Sequence, residues 1–257
     1  MYLSIITVTW NSEQHISEQI RSVISGCAGI SFEQLVVDNG SSDRTVEIIK
    51  KDFPEIQLIA NNQNQGFSAA NNQAAERASG KYLLFLNADM KVGEGSLSKL
   101  VAWMDEHPDV GIVGPKLTDE QGQLNLNALP RRFPTLLNQL AIILKIPHLF
   151  PRVLNHYLYH DLDFTKEQEV DSVRGSCMLV RREIIKSLGW AFDPRYFIWF
   201  EDVDLCREAT KLKWKVMYTP VVSCVDLVGT SFKKRNFWWK QFQLIRSMIT
   251  YFWKWGI

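Results

Sequence analysis

Short apolar runs alternate along the first half of the chain with stretches whose apolar positions recur every three or four residues. Residues 3–9, LSIITVT, are nearly all apolar or β-branched, the pattern of a strand buried on both faces. After Asn11 and Ser12 the residues Ile16, Ile20, Val23 and Ile24 recur at helical spacing until a glycine-rich stop over residues 26–29. The same reading predicts strands over 32–37, 56–60, 82–86 and 110–113, and helices over 45–51, 68–79 and 96–106. Such alternation predicts a mostly parallel central sheet flanked by helices. Functional residues are then expected in the loops that follow the strands.

Beyond Pro115 the rhythm breaks. Residues 116–127 carry a turn signal, Asp119-Glu120-Gln121-Gly122, and predict a hairpin. Residues 133–159 are apolar and basic, with Pro134, Pro147 and Pro151, and predict irregular short helices. A strand over 176–180, helices over 181–187 and 201–212, and one or two strands over 215–225 follow, and residues 237–255 predict a final amphipathic helix. The domain plan is one α/β unit over 1–232, with halves at 1–115 and 116–232, and a helical tail over 233–257.

Composition narrows this picture without redirecting it. With 46% apolar and 22% charged residues the chain is neither disordered nor fibrous. No apolar run reaches the roughly 18 to 20 residues of a spanning helix. The opening MYLSIITVTWN lacks a basic n-region and reads as a strand instead of a signal peptide. Cys27, Cys177, Cys206 and Cys224 form no C-x-x-C and suggest the reduced thiols of a cytoplasmic protein.

The net charge of +1 conceals an asymmetry. Residues 227–257 hold no Asp or Glu but six cations: Lys233, Lys234, Arg235, Lys240, Arg246 and Lys254. Within the tail, Trp238, Phe242, Ile245, Ile249 and Phe252 form one stripe, with Leu244, Met248, Tyr251 and Trp255 beside it, whereas Lys240, Gln243, Ser247 and Lys254 form a polar face. Aromatic residues and cations without acids predict an interfacial helix on an anionic leaflet, peripheral on the inner face of the cell membrane. Packing on its own domain, or on a second copy in a homo-oligomer, is the alternative. The acidic remainder argues against nucleic acid as partner.

Candidate chemistry gathers at element ends. Asp38 with Asp43, then Asp89, then Glu201, Asp202 and Asp204 form three acidic clusters. Turn formation and helix N-terminal preference also account for acids at such places. Jointly, Asp38 and Asp89 fall at the carboxyl ends of their strands, on the sheet edge where a nucleotide's base, ribose and diphosphate would lie. The first β–α turn lacks G-x-G-x-x-G, and the chain has no G-x-x-x-x-G-K-[ST], H-E-x-x-H or G-x-S-x-G. Dinucleotide dehydrogenase, P-loop, zincin and α/β-hydrolase chemistry are thereby disfavoured. The five histidines show no ligand spacing. Without a glycine-rich phosphate cradle, a diphosphate needs Mg²⁺ or Mn²⁺ on hard oxygen ligands such as Asp89.

Six segments carry a resemblance: IITVTWN, VVDNGSSDRT, NQGFSAANNQAAERASG, LFLNADM, RGSCMLVRRE and FIWFEDVDLC. In this order they resemble glycosyltransferase family 2, with its GT-A fold of a Rossmann-like nucleotide-binding half and an acceptor-binding half, and in particular its bacterial rhamnosyltransferase-type members. The resemblance implies that Thr9 and Asp38 line the pocket for base and ribose and that Asn72 lies in the helix closing the site. Asn87-Ala88-Asp89 matches the family's D-x-D-like motif, so Asp89 would hold the metal. Asp202 would be the general base, with Glu201 as second choice, and Gly175 and Ser176 would let the backbone approach donor sugar and acceptor.

The chain departs from that pattern twice. Asn87 replaces the motif's first acid, and Asp226-Leu227-Val228-Gly229-Thr230-Ser231 stands where relatives carry H-x-x-G-x-S, so Asp226 would take the histidine's metal role. No Q-x-x-R-W follows the E-D pair, which implies single-sugar transfer. The implied activity is inverting transfer from a dTDP-, UDP- or GDP-sugar, with rhamnose a candidate sugar, to a lipid-linked (polyprenyl diphosphate) or oligosaccharide acceptor in cell-surface polysaccharide biosynthesis. A catalytically silent nucleotide-sugar-binding partner and a sugar-phosphate nucleotidyltransferase are the alternatives.

Overall fold

A computed structural model describes residues 1–227 and 236–257. The basic run Lys233-Lys234-Arg235 and the residues Gly229 to Ser231 lie outside the described residues.

The sheet is built from β1 (Leu3–Thr9), β2 (Phe32–Asp38), β3 (Gln57–Ala60), β4 (Tyr82–Leu86), β5 (Met90–Val92), β6 (Val110–Thr118), β7 (Gln168–Glu169), β8 (Cys177–Arg181) and β9 (Lys215–Asp226). Its order is β3-β2-β1-β4-β8-β6-β9-β5, with β7 on β9. The half formed by β3, β2, β1 and β4 is parallel throughout, as the alternation predicts. The other half is mixed. Strand β8 runs antiparallel to both β4 and β6, β6 and β9 are parallel, and β5 returns antiparallel along β9. Hydrophobic runs identify buried strands but carry no direction, so this half was beyond the reach of periodicity.

The helices are α1 (Ile16–Gly26), α2 (Thr45–Asp52), α3 (Phe67–Arg77), α4 (Ser96–Glu106), α5 (Leu136–Ile143), α6 (Arg182–Leu188), α7 (Glu201–Lys211) and α8 (Phe237–Trp255). Because side chains alternate across a strand, Leu3 and Ile5 face α1 and α4, whereas Ile6 faces the layer of α3, α6 and α7. Both faces are therefore dry, and β1 and β4 are almost wholly buried. Polar loops are left at the carboxyl ends of β1, β2 and β4, on one edge.

Residues 116–127 turn as expected, with Thr118 bridged antiparallel to Leu124. Helix α5 and 3-10 turns at Ile146–His148 and Pro151–Leu154 form a small cluster of their own around Ala141, Leu154 and Tyr157.

Helix α8 is inverted relative to a simple reading of its amphipathicity. Tyr251 and Phe252 are buried against Tyr196, Phe200 and Val203 at the start of α7. The polar residues Gln243 and Ser247 are buried too, and the Ser247 hydroxyl donates to the Ile198 carbonyl at 2.7 Å. Lys254 Nζ lies 2.9 Å from Asp193, 2.7 Å from Asp204 and 2.9 Å from Glu208. Trp255 Nε1 donates to the other oxygen of Asp204 at 2.8 Å. Trp238, Phe242 and Ile249, in contrast, are 76%, 63% and 60% exposed. Buried ionic hydrogen bonds fix which stripe turns inward, because an acid such as Asp204 must find a cation when it leaves water.

Candidate active site

At the carboxyl edge of the sheet a cavity of about 450 Å³ opens between the parallel half, α5, α7 and α8. Its lining includes Thr9, Asn87, Asp89, Gly175, Ser176, Glu201, Asp202 and Asp226, eight of the ten residues the sequence nominates. They arrive from five separate segments, which only the fold brings together.

Asp38 and Asn72 lie outside that lining. The Asp38 carboxylate closes its own turn, accepting from the Ser41 amide at 2.9 Å and from the Ser41 hydroxyl. Its neighbour Asn39 faces the cavity instead, held by the Gln65 amide at 2.8 Å and the Gly66 carbonyl at 3.0 Å. Asn72 ties α3 to the segment before α7: its side-chain oxygen accepts from the Ala191 and Phe192 amides at 2.9 Å, and its nitrogen donates to the Phe192 carbonyl at 2.7 Å. That role is a strap between the halves.

Asp89 follows β4, and Asp226 ends β9 directly opposite Met90 in the β5–β9 ladder. The Leu227 amide donates to the Asp89 carbonyl at 3.1 Å, so the two carboxylates stand on neighbouring strands at one wall of the cavity. The donor chemistry fits a hard divalent cation. Mg²⁺ is commonly held by one or two carboxylates and completed by substrate phosphates. No group of three His, Cys, Asp or Glu exists among the described residues to hold a metal unaided, which leaves coordination positions for a diphosphate.

Asp202 sits in the first turn of α7, where the helix dipole favours a carboxylate. One of its oxygens accepts from the Gly175 amide at 3.0 Å, the other from the Val203 amide at 2.8 Å. A Cβ at Gly175 would lie 3.0 Å from the Asp202 Cβ, so a larger residue would press on the Asp202 side chain. Before α7, Trp199 and Phe200 both adopt the left-handed conformation, at φ of 66° and 69°. Two consecutive bulky residues in that region store strain of about 1 to 3 kcal/mol each, a feature concentrated at functional sites.

Glu201 is buried, and one of its oxygens has no hydrogen-bond partner among the described residues. Burial, with the neighbouring Asp202 charge, pushes its carboxyl well above the usual range. Thr9 and Ser176 also carry buried hydroxyls without partners. Buried polar atoms are normally satisfied, and three orphans lining one cavity point to groups that a ligand would meet.

Sequence reasoning missed two cations. Arg174 and Arg131 both line the cavity. The Arg131 charge, followed by burial, holds the Arg174 guanidinium below its ordinary value, while Asp202 and Asp226 act in the opposite sense. Arg174 was visible in the segment RGSCMLVRRE, beside Gly175 and Ser176. Arg131 had no such marker.

The mixed sheet, with acidic residues gathered at this edge and one of them anchored at a helix start, is the arrangement of a GT-A fold. The family model "Glycosyl transferase family 2" matches residues 4–189, and the chain belongs to that family. It is 29% identical over 231 residues to an N-acetylglucosaminyl-diphospho-decaprenol L-rhamnosyltransferase of Mycobacterium tuberculosis, covering 85% of this chain and 73% of the relative. Two solved structures share the fold. TarS of Staphylococcus aureus in complex with UDP-GlcNAc has a TM-score of 0.60 at 20% identity, over 92% of this chain and 62% of that one. A mannosyltransferase from Pyrobaculum calidifontis in complex with GDP-Man and Mn²⁺ has a TM-score of 0.62 at 20% identity, over 96% of this chain and 63% of the other.

Proposed function

We propose that the chain catalyses inverting transfer of one sugar from a nucleoside-diphosphate sugar to a hydroxyl of a lipid-linked saccharide in cell-surface polysaccharide biosynthesis. The observation that carries this reading is the Asp202 carboxylate, anchored by two amides and facing the same cavity as Asp89 and Asp226. The acceptor hydroxyl gives its proton to Asp202 as its oxygen bonds to the anomeric carbon. The bond from that carbon to the diphosphate breaks, and the nucleoside diphosphate leaves with the electron pair. General base catalysis of this kind contributes about 10² to 10⁴-fold. A divalent cation bound to Asp89 and Asp226 would supply charge stabilisation to the leaving group. Thr9 and Asn39 offer polar contacts to the nucleotide's base and ribose, and Glu201 lies next to Asp202 in the same lining.

Rhamnose is the first sugar to test, given the activity named for the mycobacterial relative. No helix among the described residues is long and apolar enough to cross a membrane. The outward stripe Trp238, Phe242, Ile245 and Ile249 supports peripheral docking on the cytoplasmic leaflet, where a lipid-linked acceptor would be held.

The test is sugar transfer by the purified chain across dTDP-, UDP- and GDP-sugars, with Mg²⁺ or Mn²⁺ and a polyprenyl-diphosphate saccharide as acceptor. Turnover with one donor, abolished in Asp202→Asn while donor still binds, is expected. Donor binding without turnover on any acceptor, unaltered by Asp202→Asn, would refute the catalytic reading.

A further inference from the structure

The cavity is chemically mixed. Its lining joins the hard oxygens of Asp89, Asp226 and Asn87 with the apolar side chains of Ile142 and Ile143 of α5 and of Leu244 and Met248 of α8. Arg131 and Arg174 line the cavity as well, and neither forms an ion pair with a carboxylate among the described residues. The Arg131 charge weighs on Arg174 more than Asp202 and Asp226 relieve it, so an anion meeting both guanidiniums in this cavity would be favoured. Tyr157 supports the Arg131 guanidinium at 5.8 Å from its ring, and the Arg131 backbone is held to Ser172 by two hydrogen bonds.

Both helices that contribute apolar lining also carry exposed apolar side chains. On α5 and the turns after it, Leu137 and Leu149 are 81% and 80% exposed, and Leu140, Leu144, Phe150 and Val153 are exposed with them. On α8, Trp238, Phe242 and Ile249 are exposed. No acid occurs anywhere in residues 121–160, which contain Arg131, Arg132, Lys145 and Arg152. The ligand that matches an apolar cleft ending on a paired cation site is an amphiphile with an anionic head.

We propose that the cleft between α5 and α8 receives the isoprenoid chain of a polyprenyl diphosphate, whose diphosphate is held by Arg131 and Arg174. This rests on the functional reading above and extends it to the acceptor's lipid end. The placement is consistent with the chemistry, because Arg174 adjoins Gly175, whose amide anchors Asp202. The donor's diphosphate is assigned to Asp89 and Asp226 instead.

The probes are farnesyl diphosphate, inorganic pyrophosphate and the nucleoside diphosphates, titrated against the whole chain by calorimetry. Farnesyl diphosphate is expected to bind more than about tenfold tighter than pyrophosphate, because the cleft adds apolar burial. Arg131→Met should weaken both by about tenfold or more and leave nucleoside diphosphate binding unchanged. Ile143→Ser, at a half-buried position that folding tolerates, should weaken farnesyl diphosphate alone. Equal affinity for farnesyl diphosphate and pyrophosphate would overturn the proposal. So would loss of nucleoside diphosphate binding in Arg131→Met, which would assign the cations to the donor. Tight farnesyl diphosphate binding by a chain that transfers no sugar would support this site and defeat the functional reading. Transfer to saccharides without any farnesyl diphosphate binding would do the reverse.

Discussion

Lys254→Met tests whether α8 is clamped to α7, the helix that carries Asp202. The lysine side chain is 11% exposed and contacts Asp193, Asp204 and Glu208, of which Asp204 is fully buried. Burial raises the Asp204 carboxyl, and Lys254 and Trp255 oppose that rise. Asp193 is also raised by burial, but Arg195 and Lys254 outweigh it and hold the carboxyl down to about 2. Removing one partner of a buried ionic cluster costs about 3 to 5 kcal/mol, since the remaining charge is stranded. In a domain of this size that lowers the Tm by on the order of 10 °C.

The loss should depend on pH in a defined direction. Without Lys254 the Asp204 carboxyl rises further, and a group with a raised folded pKa destabilises the fold increasingly as pH rises above its unfolded value. The deficit should therefore be largest near pH 7.5 and shrink toward pH 5, where Asp204 takes up a proton. Urea unfolding of both proteins at the two pH values measures it, and adding Asp204→Asn to the variant should recover part of the loss. A deficit under about 1 kcal/mol at pH 7.5, or one that grows toward pH 5, would refute the claim that buried charge clamps α8 to α7.

Glu201→Gln should gain stability relative to wild type as pH rises, because burial raises the carboxyl and the fold disfavours its ionised form; urea unfolding across pH measures this. Gly175→Ala should lower kcat by about tenfold with donor affinity intact, since its Cβ would press on Asp202; steady-state kinetics and donor titration separate the two. Asp89→Asn and Asp226→Asn should each weaken Mn²⁺ binding in the presence of nucleoside diphosphate by about tenfold or more, read by electron paramagnetic resonance. Trp238→Glu combined with Phe242→Glu should abolish sedimentation with vesicles containing anionic lipid and leave the Tm unchanged, both side chains being exposed.

The parallel half of the sheet was legible because each of its strands is an apolar run closed by a polar turn, and β1 and β4 are buried on both faces. Strand β5 was not, since three residues whose pairing lies with β9 across the whole second half leave no local signature. The acids of the site were legible for a similar reason: Asp89 and Glu201-Asp202 interrupt apolar stretches abruptly. Asp38 shows the limit of that signal. A carboxylate after a strand is equally suited to bind its own turn, and the Ser41 amide takes it while Asn39 turns to the cavity. Arg131 was invisible because its importance comes from Arg174, forty-three positions away in sequence and adjacent only in space.

Helix α8 shows why amphipathicity alone does not orient a helix. Its apolar positions cover two adjoining stripes, and periodicity ranks neither above the other as the core-facing one. The fold turns the second stripe inward: Leu244, Met248, Tyr251 and Trp255, with Phe252, pack at the start of α7, and the same face sets Lys254 on the buried Asp204, a carboxylate that would be costly unpaired. The outer stripe is then left without a protein partner among the described residues, at the mouth of a cavity whose inner walls come from the same helix. A lipid surface satisfies both conditions at once: it covers the apolar stripe and delivers a membrane-held acceptor to the cleft beside it. The ionic cluster that holds α8 also reaches Asp204 and Glu208 of α7, so the contacts that leave the aromatic stripe outward bear on the helix that carries Asp202.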